Sequence, residues 1–473
     1  MRKRRLGGAL AVLATVAATA AGTGSAADVA VTNANDSGPG SFRAAILAAN
    51  GNASIGRVAF AGVGTVSLAS TVAYTGAQTL EIVGNGAVLD GSLLGGDADA
   101  FVAQTQGNLT IRTLTVRDAP GEGVAYQVPS GSGGARAVTL DRVRISGNGG
   151  HGVLVNDQDF PEQAGDPDTG IPPTPAGSAA SVAVSVTKST IVENGHRAAD
   201  RDGIRVNEGD AGDLTFTLVD TRVEGNGGDG VELDERGAGD VDFSVSGSQL
   251  TENGPFDPND LDDGMDVDES LDGDVTGTVS RTVVSDNFEE GLDLNENDAG
   301  DMNLVLTQLV VNGNREEGID LEEDDDFAGG GNLIVTASQI TADGNGVDDG
   351  DGGVKIREKG VGDLRATLSK VEASGNLNIA AGIHIRETEA GSLTATVSQA
   401  TTNGNAGDGV QFRESDAGNL TATASKIVAN ANGAAGLRAR EQNAGSGTIT
   451  LTQVTLTGNA EANLVLDGVT QTP

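Results

Sequence analysis

The sequence predicts an all-β solenoid, that is, a stack of coils with three short strands in each coil. Three observations lead to this expectation: a repeat of about 27 residues, an alternation of apolar and polar residues within each repeat, and insertions confined to the turns. A single repeat of this kind cannot bury its own apolar face. Its stability therefore requires that neighbouring repeats stack on one another.

Each repeat begins at a glycine, as the stretches "DGVELDERGAGDVDFSVSGSQLTENG" and "AAGIHIRETEAGSLTATVSQATTNGN" illustrate. The residues one and three positions after the glycine are apolar, as Val231 and Leu233 are, which is the period of a strand and not of a helix. The repeat glycines are Gly203, Gly230, Gly264, Gly291, Gly318, Gly353, Gly382, Gly409 and Gly436. Extra residues between them fall in turns, where a longer chain costs little.

An asparagine closes the third strand of the repeats. The set is Asn148, Asn194, Asn226, Asn253, Asn287, Asn314, Asn345, Asn376, Asn405, Asn432 and Asn459. Asparagine tolerates the left-handed backbone of a turn, and stacked side-chain amides can hydrogen-bond along a column. We therefore expect a structural asparagine ladder.

The chain divides into five expected segments. "MRKRR" followed by an apolar run predicts a signal peptide over residues 1–27, cleaved near Ala27, and hence a secreted protein. Residues 28–54 are expected to form an N-terminal cap with a helix over 41–50, in which Ser41 is the N-cap and Phe42, Ala45, Ile46 and Ala49 share one face. Residues 55–156 predict irregular first coils, 157–181 a Pro/Asp-rich surface insertion, and 182–473 the regular coils.

Two stretches carry a family resemblance. The coil "STIVENG" followed by "DGIRVNE", and the opening "VTNANDSGPGSFRAAILAAN", resemble segments of the bacterial secreted right-handed parallel β-helix proteins of the pectate-lyase-like superfamily. The resemblance implies a right-handed parallel β-helix with an N-terminal capping helix. It does not select an activity, because this superfamily includes lyases, hydrolases, epimerases and adhesins.

The composition narrows the range of partners. The formal net charge is −39, so the chain repels nucleic acid and attracts dissolved cations. It contains no cysteine, and after the signal peptide no apolar run approaches the roughly 20 residues of a membrane-spanning helix. We expect neither a nucleic-acid partner nor a transmembrane segment.

The residues two and four positions after each repeat glycine are expected to point outward and to form two columns along the solenoid. Their charge changes from acidic to basic along the chain. In order, the pairs are Arg205/Asn207, Glu232/Asp234, Asp266/Asp268, Asp293/Asn295, Asp320/Glu322, Lys355/Arg357, His384/Arg386, Gln411/Arg413 and Arg438/Arg440. Carboxylates stacked about 4.8 Å apart repel one another unless water, salt or a metal lies between them.

Two interpretations of the acidic half stay open. One is a solvated acidic surface, and the other is a site for a hard cation such as Ca²⁺, which takes about six to eight oxygen ligands. The candidate metal ligands are Asp266, Asp268, Asp293, Asp320 and Glu322. Acidic turn insertions add the candidates Asp257, Asp260, Asp262, Asp263, Asp343, Asp348, Asp349 and Asp351.

A glutamate recurs five positions after the glycine in acidic and basic coils alike. The set is Glu208, Glu235, Glu269, Glu296, Glu323, Glu358, Glu387, Glu414 and Glu441. The glutamate occurs whatever the charge of its neighbours. This favours a structural role, in which the side chain accepts hydrogen bonds from backbone N–H groups of the turn, rather than a role as a metal ligand.

The preferred functional interpretation is a secreted, non-catalytic surface or matrix interaction protein that binds Ca²⁺ on its acidic face. Its expected partners are divalent cations and either an extracellular polysaccharide or another copy of the chain, paired through the opposite charges of the two halves. The smooth change of the columns and the absence of tryptophan favour this interpretation over an enzyme.

The alternative is a polysaccharide-active enzyme. The resemblance implies, for a Ca²⁺-dependent lyase, carboxylates that hold the cation beside a basic residue that removes a sugar proton. Such an enzyme would act on a polyuronate where the acidic coils meet the basic ones. The candidate catalytic residues there are Lys355, Arg357, His384 and Arg386.

Overall fold

A computed structural model of the protein describes residues 27–157, 177–257, 261–324, 329–348, 350, 352–379 and 381–473. The expected signal peptide and most of the expected Pro/Asp-rich insertion lie outside the described residues. Among the described residues, no helix is both long enough and apolar enough to cross a membrane.

The N-terminal end of the solenoid is covered by one helix, α1 (Phe42–Gly51). Ser41 is its N-cap, because the backbone of Ser41 is extended and its side chain accepts a hydrogen bond from the Ala44 N–H at 3.2 Å. Phe42 and Ile46 are buried, and the Phe42 ring stacks on Phe60 with ring centroids 5.3 Å apart. The expected capping helix is confirmed, and it begins and ends one residue later than the predicted 41–50.

All other elements are short β-strands. The first are β1 (Ala27–Val31), β2 (Ile55–Phe60), β3 (Thr65–Ser67), β4 (Val72–Tyr74), β5 (Leu80–Val83), β6 (Val88–Asp90), β7 (Phe101–Gln104), β8 (Leu109–Arg112), β9 (Thr115–Arg117), β10 (Val124–Gln127), β11 (Arg136–Asp141), β12 (Arg144–Ser146), β13 (Val153–Asn156), β14 (Val182–Thr187) and β15 (Thr190–Val192). The middle strands are β16 (Ile204–Asp210), β17 (Leu214–Val219), β18 (Arg222–Glu224), β19 (Val231–Gly237), β20 (Val241–Ser246), β21 (Gln249–Thr251), β22 (Met265–Leu271), β23 (Val275–Ser280), β24 (Val283–Ser285), β25 (Leu292–Glu296), β26 (Met302–Val310), β27 (Ile319–Asp324) and β28 (Leu333–Thr341). The last are β29 (Gly352–Gly360), β30 (Leu364–Glu372), β31 (Ala381–Glu389), β32 (Leu393–Ser398), β33 (Val410–Asp416), β34 (Asn419–Ser425), β35 (Val428–Asn430), β36 (Ala435–Asn443), β37 (Ser446–Thr452), β38 (Thr455–Thr457), β39 (Ala462–Asp467) and β40 (Val469–Thr472).

The strands stack as coils in parallel. In a regular coil, β16 is followed by β17 and β18, and each of these strands pairs in parallel with its counterpart in the next coil, namely β19, β20 and β21. The first strands of successive coils form a parallel sheet of 14 strands from β4 to β39, which we call the strand face. The fold is the right-handed parallel β-helix that the sequence predicts.

The core fills the inside of the coils with one column of apolar side chains for each inward position. Val231, Met265 and Leu292 are paired in register on neighbouring strands and are fully buried. The inward and outward alternation expected from the repeat is thus confirmed on the strand face. Because the pairing is in register, every position of the repeat lies directly above its counterpart about 4.8 Å away.

The expected asparagine ladder is also confirmed. The Asn345 Oδ1 atom accepts hydrogen bonds from both the backbone N–H of Asn314, at 2.9 Å, and its side-chain amide, at 3.2 Å. Asn314 Oδ1 serves Asn287 in the same way, at 3.0 Å for both bonds. Each side chain therefore satisfies a buried turn N–H of the preceding coil.

We expect the substitution Asn314→Ala to lower the free energy of unfolding by about 1–3 kcal/mol, because it leaves the buried Asn287 N–H without an acceptor. Guanidinium denaturation measures the loss. The matched control is Asn303→Ala on the outward side of β26, for which we expect a change within about 0.5 kcal/mol. Equal losses in the two variants would contradict a structural ladder.

Candidate metal centre on the strand face

The five predicted ligands lie on three neighbouring strands of the strand face. Asp266, Asp293 and Asp320 are paired in register on β22, β25 and β27, so they form one continuous column. Asp268 and Glu322 belong to the other outward column, that of the residues four positions after each repeat glycine, and Asn295 lies between them. The structure thus brings the first three together and separates the other two.

These side chains point outward, but none of them is fully exposed. Asp320 is buried, with 4% of it exposed, whereas Asp266, Asp268, Asp293 and Glu322 are half-buried. The outward acids of the preceding coil, Glu232 and Asp234, are buried as well. A freely solvated acidic surface therefore does not describe Asp320, Glu232 or Asp234. Burial of a carboxylate is expensive unless a counter-charge or a hydrogen-bond donor accompanies it.

A second acidic column, which the sequence analysis missed, lies beside the first. It consists of the residue before each repeat glycine, namely Asp202, Asp229, Asp263, Glu290 and Glu317. We call this column and the column that contains Asp266, Asp293 and Asp320 the double column. Part of its role is structural: Asp202 Oδ1 accepts the Asp229 N–H at 2.9 Å, and Asp263 Oδ1 accepts the Glu290 N–H at 2.6 Å. The sequence does contain the pattern that predicts this column, because the position before the repeat glycine is acidic in five successive coils.

Carboxylate oxygens from the two columns converge into groups that a metal ion could occupy. Within each group the oxygens lie within 4.8 Å of one another. The groups that join the two columns are Asp229/Glu232/Asp266, Asp263/Asp266/Asp293, Glu290/Glu317/Asp320 and Asp200/Asp202/Glu232, and a further group is Asp263/Glu289/Glu290. Of the predicted ligands, Asp266, Asp293 and Asp320 belong to these groups, and Asp268 and Glu322 do not.

At the N-terminal end of the double column the protein supplies its own cation. The Arg205 guanidinium lies 2.6 Å from Glu232 Oε1 and 3.0 Å from Asp234 Oδ2, and it also reaches Asp200 at 2.7 Å. These neighbouring carboxylates raise the pKa of Arg205 in spite of its burial. The acids at this end are therefore compensated within the chain.

At the C-terminal end of the double column the protein likewise supplies a cation. The Lys355 Nζ atom lies 2.6 Å from Asp320 Oδ2, 2.7 Å from Glu322 Oε1 and 3.6 Å from Glu317 Oε1, so it touches both acidic columns. Although burial opposes it, the Asp320 and Glu322 carboxylates raise the pKa of Lys355 well above its usual value. Lys355 is held as an ammonium ion, which cannot act as a general base.

Between these two ends the described acids of the double column have no such compensation, although Arg236 pairs with the outward Asp234 at 3.2 Å. Within the described part of the chain, no lysine, arginine or histidine forms an ion pair with Asp229, Asp263, Asp266, Glu290 or Asp293. Burial, and after it the neighbouring Asp268 carboxylate, raises the pKa of Asp293 to about 7. The Asp266 Oδ1 and Asp320 Oδ1 atoms are buried without a hydrogen-bond partner. The donor set is oxygen-only, as hard cations prefer.

The basic half of the strand face is largely neutralised by acids of the same chain. Arg438 Nε lies 2.7 Å from Asp408 Oδ2, Arg440 lies 3.6 Å from Asp467, and Arg357 lies 3.0 Å from Glu322. These contacts occupy charges that pairing between two copies of the chain would need.

The four candidate catalytic residues lie on β29 and β31, where Lys355 is in register with His384 and Arg357 with Arg386. His384 is buried, and 8% of it is exposed. They are thus adjacent in space, next to the Glu290/Glu317/Asp320 group.

The acidic turn insertions contribute less than expected. Asp263 joins the second column, whereas Asp343 Oδ1 accepts the Ser374 N–H at 2.7 Å and Asp348 pairs with Arg315. Asp260, Asp349 and Asp351 lie outside the described residues. The described acids of the second insertion are therefore engaged separately and do not form a loop site.

The sequence matches no known protein-family model, and it matches no curated protein. Among solved structures it is similar to the pectate lyase Pel9A, with 14% identity, coverage of 75% of this chain and 78% of that chain, and a TM-score of 0.43. It is also similar to the A-module of the Azotobacter vinelandii mannuronan C-5 epimerase AlgE4, with 13% identity, 93% and 97% coverage, and a TM-score of 0.38. The Dettilon tailspike protein gp208 matches with 9% identity, 82% and 62% coverage, and a TM-score of 0.40.

We expect Lys355→Met to lower the free energy of unfolding by about 3 kcal/mol or more in cation-free buffer, because it leaves Asp320 as a buried charge without a counter-ion, while Glu322 keeps its pair with Arg357. Chemical denaturation in EDTA measures the loss. The control is Arg365→Met, which breaks an ion pair with Asp363 whose side chains are 50% and 38% exposed and should cost less than about 1 kcal/mol. Similar small losses in both variants would contradict a buried ionic end to the column.

Proposed function

We propose that the protein is a secreted β-helix whose strand face binds divalent cations, Ca²⁺ in particular, and that it serves as an interaction module outside the cell. One observation supports this most strongly. The protein places its own cations, Arg205 and Lys355, against both ends of the double acidic column, and in the described part of the chain no basic side chain forms an ion pair with Asp229, Asp263, Asp266, Glu290 or Asp293 between them. Dissolved cations would complete the same charge pattern in the middle.

The ligand chemistry favours Ca²⁺ over other common cations. Each group offers three carboxylates from two neighbouring coils in an irregular arrangement, without sulfur or imidazole. Ca²⁺ accepts irregular cages of about six to eight oxygens, whereas Mg²⁺ demands a near-ideal octahedron and retains its water. Asp266 belongs to two groups, so cations bound in neighbouring coils would share a ligand.

Cations bound in this way would act on the solenoid and on its partners. They would link successive coils across the repeat boundary and so stiffen the middle of the β-helix. A cation held by three carboxylates also retains coordination positions for water or for a ligand oxygen. This is how we propose that the face meets an acidic extracellular partner such as a polysaccharide.

We expect the substitution Asp266→Asn to have opposite effects with and without cations. In EDTA it should raise the free energy of unfolding by about 1 kcal/mol, because it removes a half-buried carboxyl group that lies among other carboxylates without a counter-ion. In Ca²⁺ at about 100 times the dissociation constant, the natural protein should gain about 2.7 kcal/mol and the variant much less. Thermal and chemical denaturation in the two buffers measure both changes in the free energy of unfolding.

The control for this experiment is Asp242→Asn, on the exposed side of β20 and away from both acidic columns. It should leave the response to Ca²⁺ unchanged. An unfolding curve of the natural protein that is identical in EDTA and in millimolar Ca²⁺ would contradict the proposal.

The second candidate function is polysaccharide cleavage where the acidic and basic coils meet. It is favoured by one observation, that the Glu290/Glu317/Asp320 group adjoins a cationic side chain, with Lys355 Nζ 3.6 Å from Glu317 Oε1. Because Lys355 is held as an ammonium ion, it would stabilise negative charge or donate a proton and would not remove one. Arg357, paired with Glu322, is likewise held as a cation.

Incubation with polygalacturonate and with mannuronan, with and without Ca²⁺, tests this candidate through the release of unsaturated or reducing ends. If the junction is catalytic, Asp320→Ala and Arg357→Ala should each lower the rate at least 100-fold, while Arg365→Ala, on an exposed pair, should not. No product from either polymer would remove the enzyme candidate and would leave cation binding as the proposed function.

A further inference from the structure

Nine glutamates form a column inside the turn that follows the strand face. From Glu208 to Glu441 they are paired in register on successive strands, so each carboxyl group lies about 4.8 Å from the next. Eight of them have no exposed surface, and Glu441 is 8% exposed. This glutamate ladder faces inward and is separate from the acidic columns of the strand face.

The turn backbone closes tightly over the ladder. A Cβ atom placed on Gly391 would lie 2.9 Å from Glu387 Oε1, and one placed on Gly418 would lie 2.8 Å from Glu414 Oε1. A glycine four residues after the glutamate is therefore required in these coils.

The expectation that the ladder accepts turn N–H groups holds for only some of its members. Glu358 Oε1 accepts the Gly362 N–H at 2.9 Å, and Glu441 Oε2 accepts the Leu420 N–H at 3.2 Å. By contrast, in the described part of the chain no donor of normal geometry reaches either carboxyl oxygen of Glu414, and only the Gly391 N–H approaches Glu387, outside normal hydrogen-bond geometry. Backbone N–H groups therefore do not satisfy the carboxyl groups of these two rungs.

What faces Glu387 and Glu414 is more carboxyl groups. Glu387 lies against Glu358 and Glu414, and Glu414 lies against Glu441. The other titratable group facing both of them is Asp416, and within the described residues neither forms an ion pair with a lysine, arginine or histidine. A carboxylate has no proton to donate, so two carboxyl groups can hydrogen-bond only when one of them is protonated.

We propose that the C-terminal rungs of the glutamate ladder, Glu358, Glu387, Glu414 and Glu441, form a chain of carboxylic acids that share protons, and that this chain makes the β-helix sensitive to alkaline pH. With protons in place, each carboxyl group donates to its neighbour and the turns are held together. Without them, like charges would lie about 5 Å apart in a dry turn and would force the coils open. This inference does not depend on cation binding by the strand face.

The direction of the pKa shifts agrees with this geometry. Burial raises the pKa of Glu387 to about 8, that of Glu414 to about 9 and that of Glu358 to about 10. An unfolded glutamate has a pKa of about 4.3, so between these values the folded state holds protons that the unfolded state releases. The stabilisation is present in full below about pH 4 and is lost as the pH rises through 8 to 10.

The double substitution Glu387→Gln and Glu414→Gln in the full chain tests the proposal. Glutamine keeps one acceptor and a donor at every pH, so it reproduces the protonated ladder permanently. In EDTA, we expect the melting temperature of the natural protein to fall by about 10 °C or more between pH 6 and pH 10, and that of the variant to fall by less than about half as much. The control Glu372→Gln, on the exposed side of β30, should follow the natural protein.

An infrared measurement covers the case in which the variant does not fold. The natural protein at pH 7 should show the carbonyl band of protonated carboxyl groups, which should disappear as the pH rises towards 10. Either of two results would overturn the proposal: no such band at pH 7, or a folded double variant whose melting temperature falls with pH as steeply as that of the natural protein.

Discussion

The in-register stacking of coils is the constraint on which the rest of this structure depends. Each position of the repeat lies about 4.8 Å from the same position in the next coil, so any side chain that recurs in the sequence meets its own kind in space. For apolar residues this is favourable, and the core columns such as Val231, Met265 and Leu292 follow from it directly. For polar and charged residues it creates a problem that each column must solve.

The columns of this protein solve the problem in different ways. The asparagines are self-complementary, because an amide both donates and accepts, and each side chain bonds to the next one and to its backbone. The acids of the strand face are not self-complementary, and at the two ends of the double column the chain inserts Arg205 and Lys355 among them. The glutamates of the inner turn resemble the asparagines only if they keep their protons.

Much of the fold could be predicted from the sequence, because in-register stacking places residues that are equivalent in the sequence repeat next to one another in space. Once Gly264 and Gly291 are recognised as equivalent, Asp266 must lie beside Asp293. The partial burial of these outward acids could not be predicted, since it depends on how the turns and neighbouring columns pack around the strand face. The column of acids before the glycines could not be predicted from the strand alternation, because Asp229 and Glu290 lie outside the alternating strand positions. The pairing of Lys355 with Asp320 spans 35 residues in the sequence and is visible only after the turn insertion between them is removed.

Anomalous scattering from crystals grown with Ca²⁺ tests the central claim most directly, because it locates the cation without reference to stability. We expect ions between the two acidic columns in the coils that begin at Gly230, Gly264 and Gly291, with carboxylate oxygens at about 2.3–2.6 Å. We expect none at the positions taken by the Arg205 guanidinium and the Lys355 ammonium group. Crystals grown in millimolar Ca²⁺ that show no anomalous peak between the columns would contradict it.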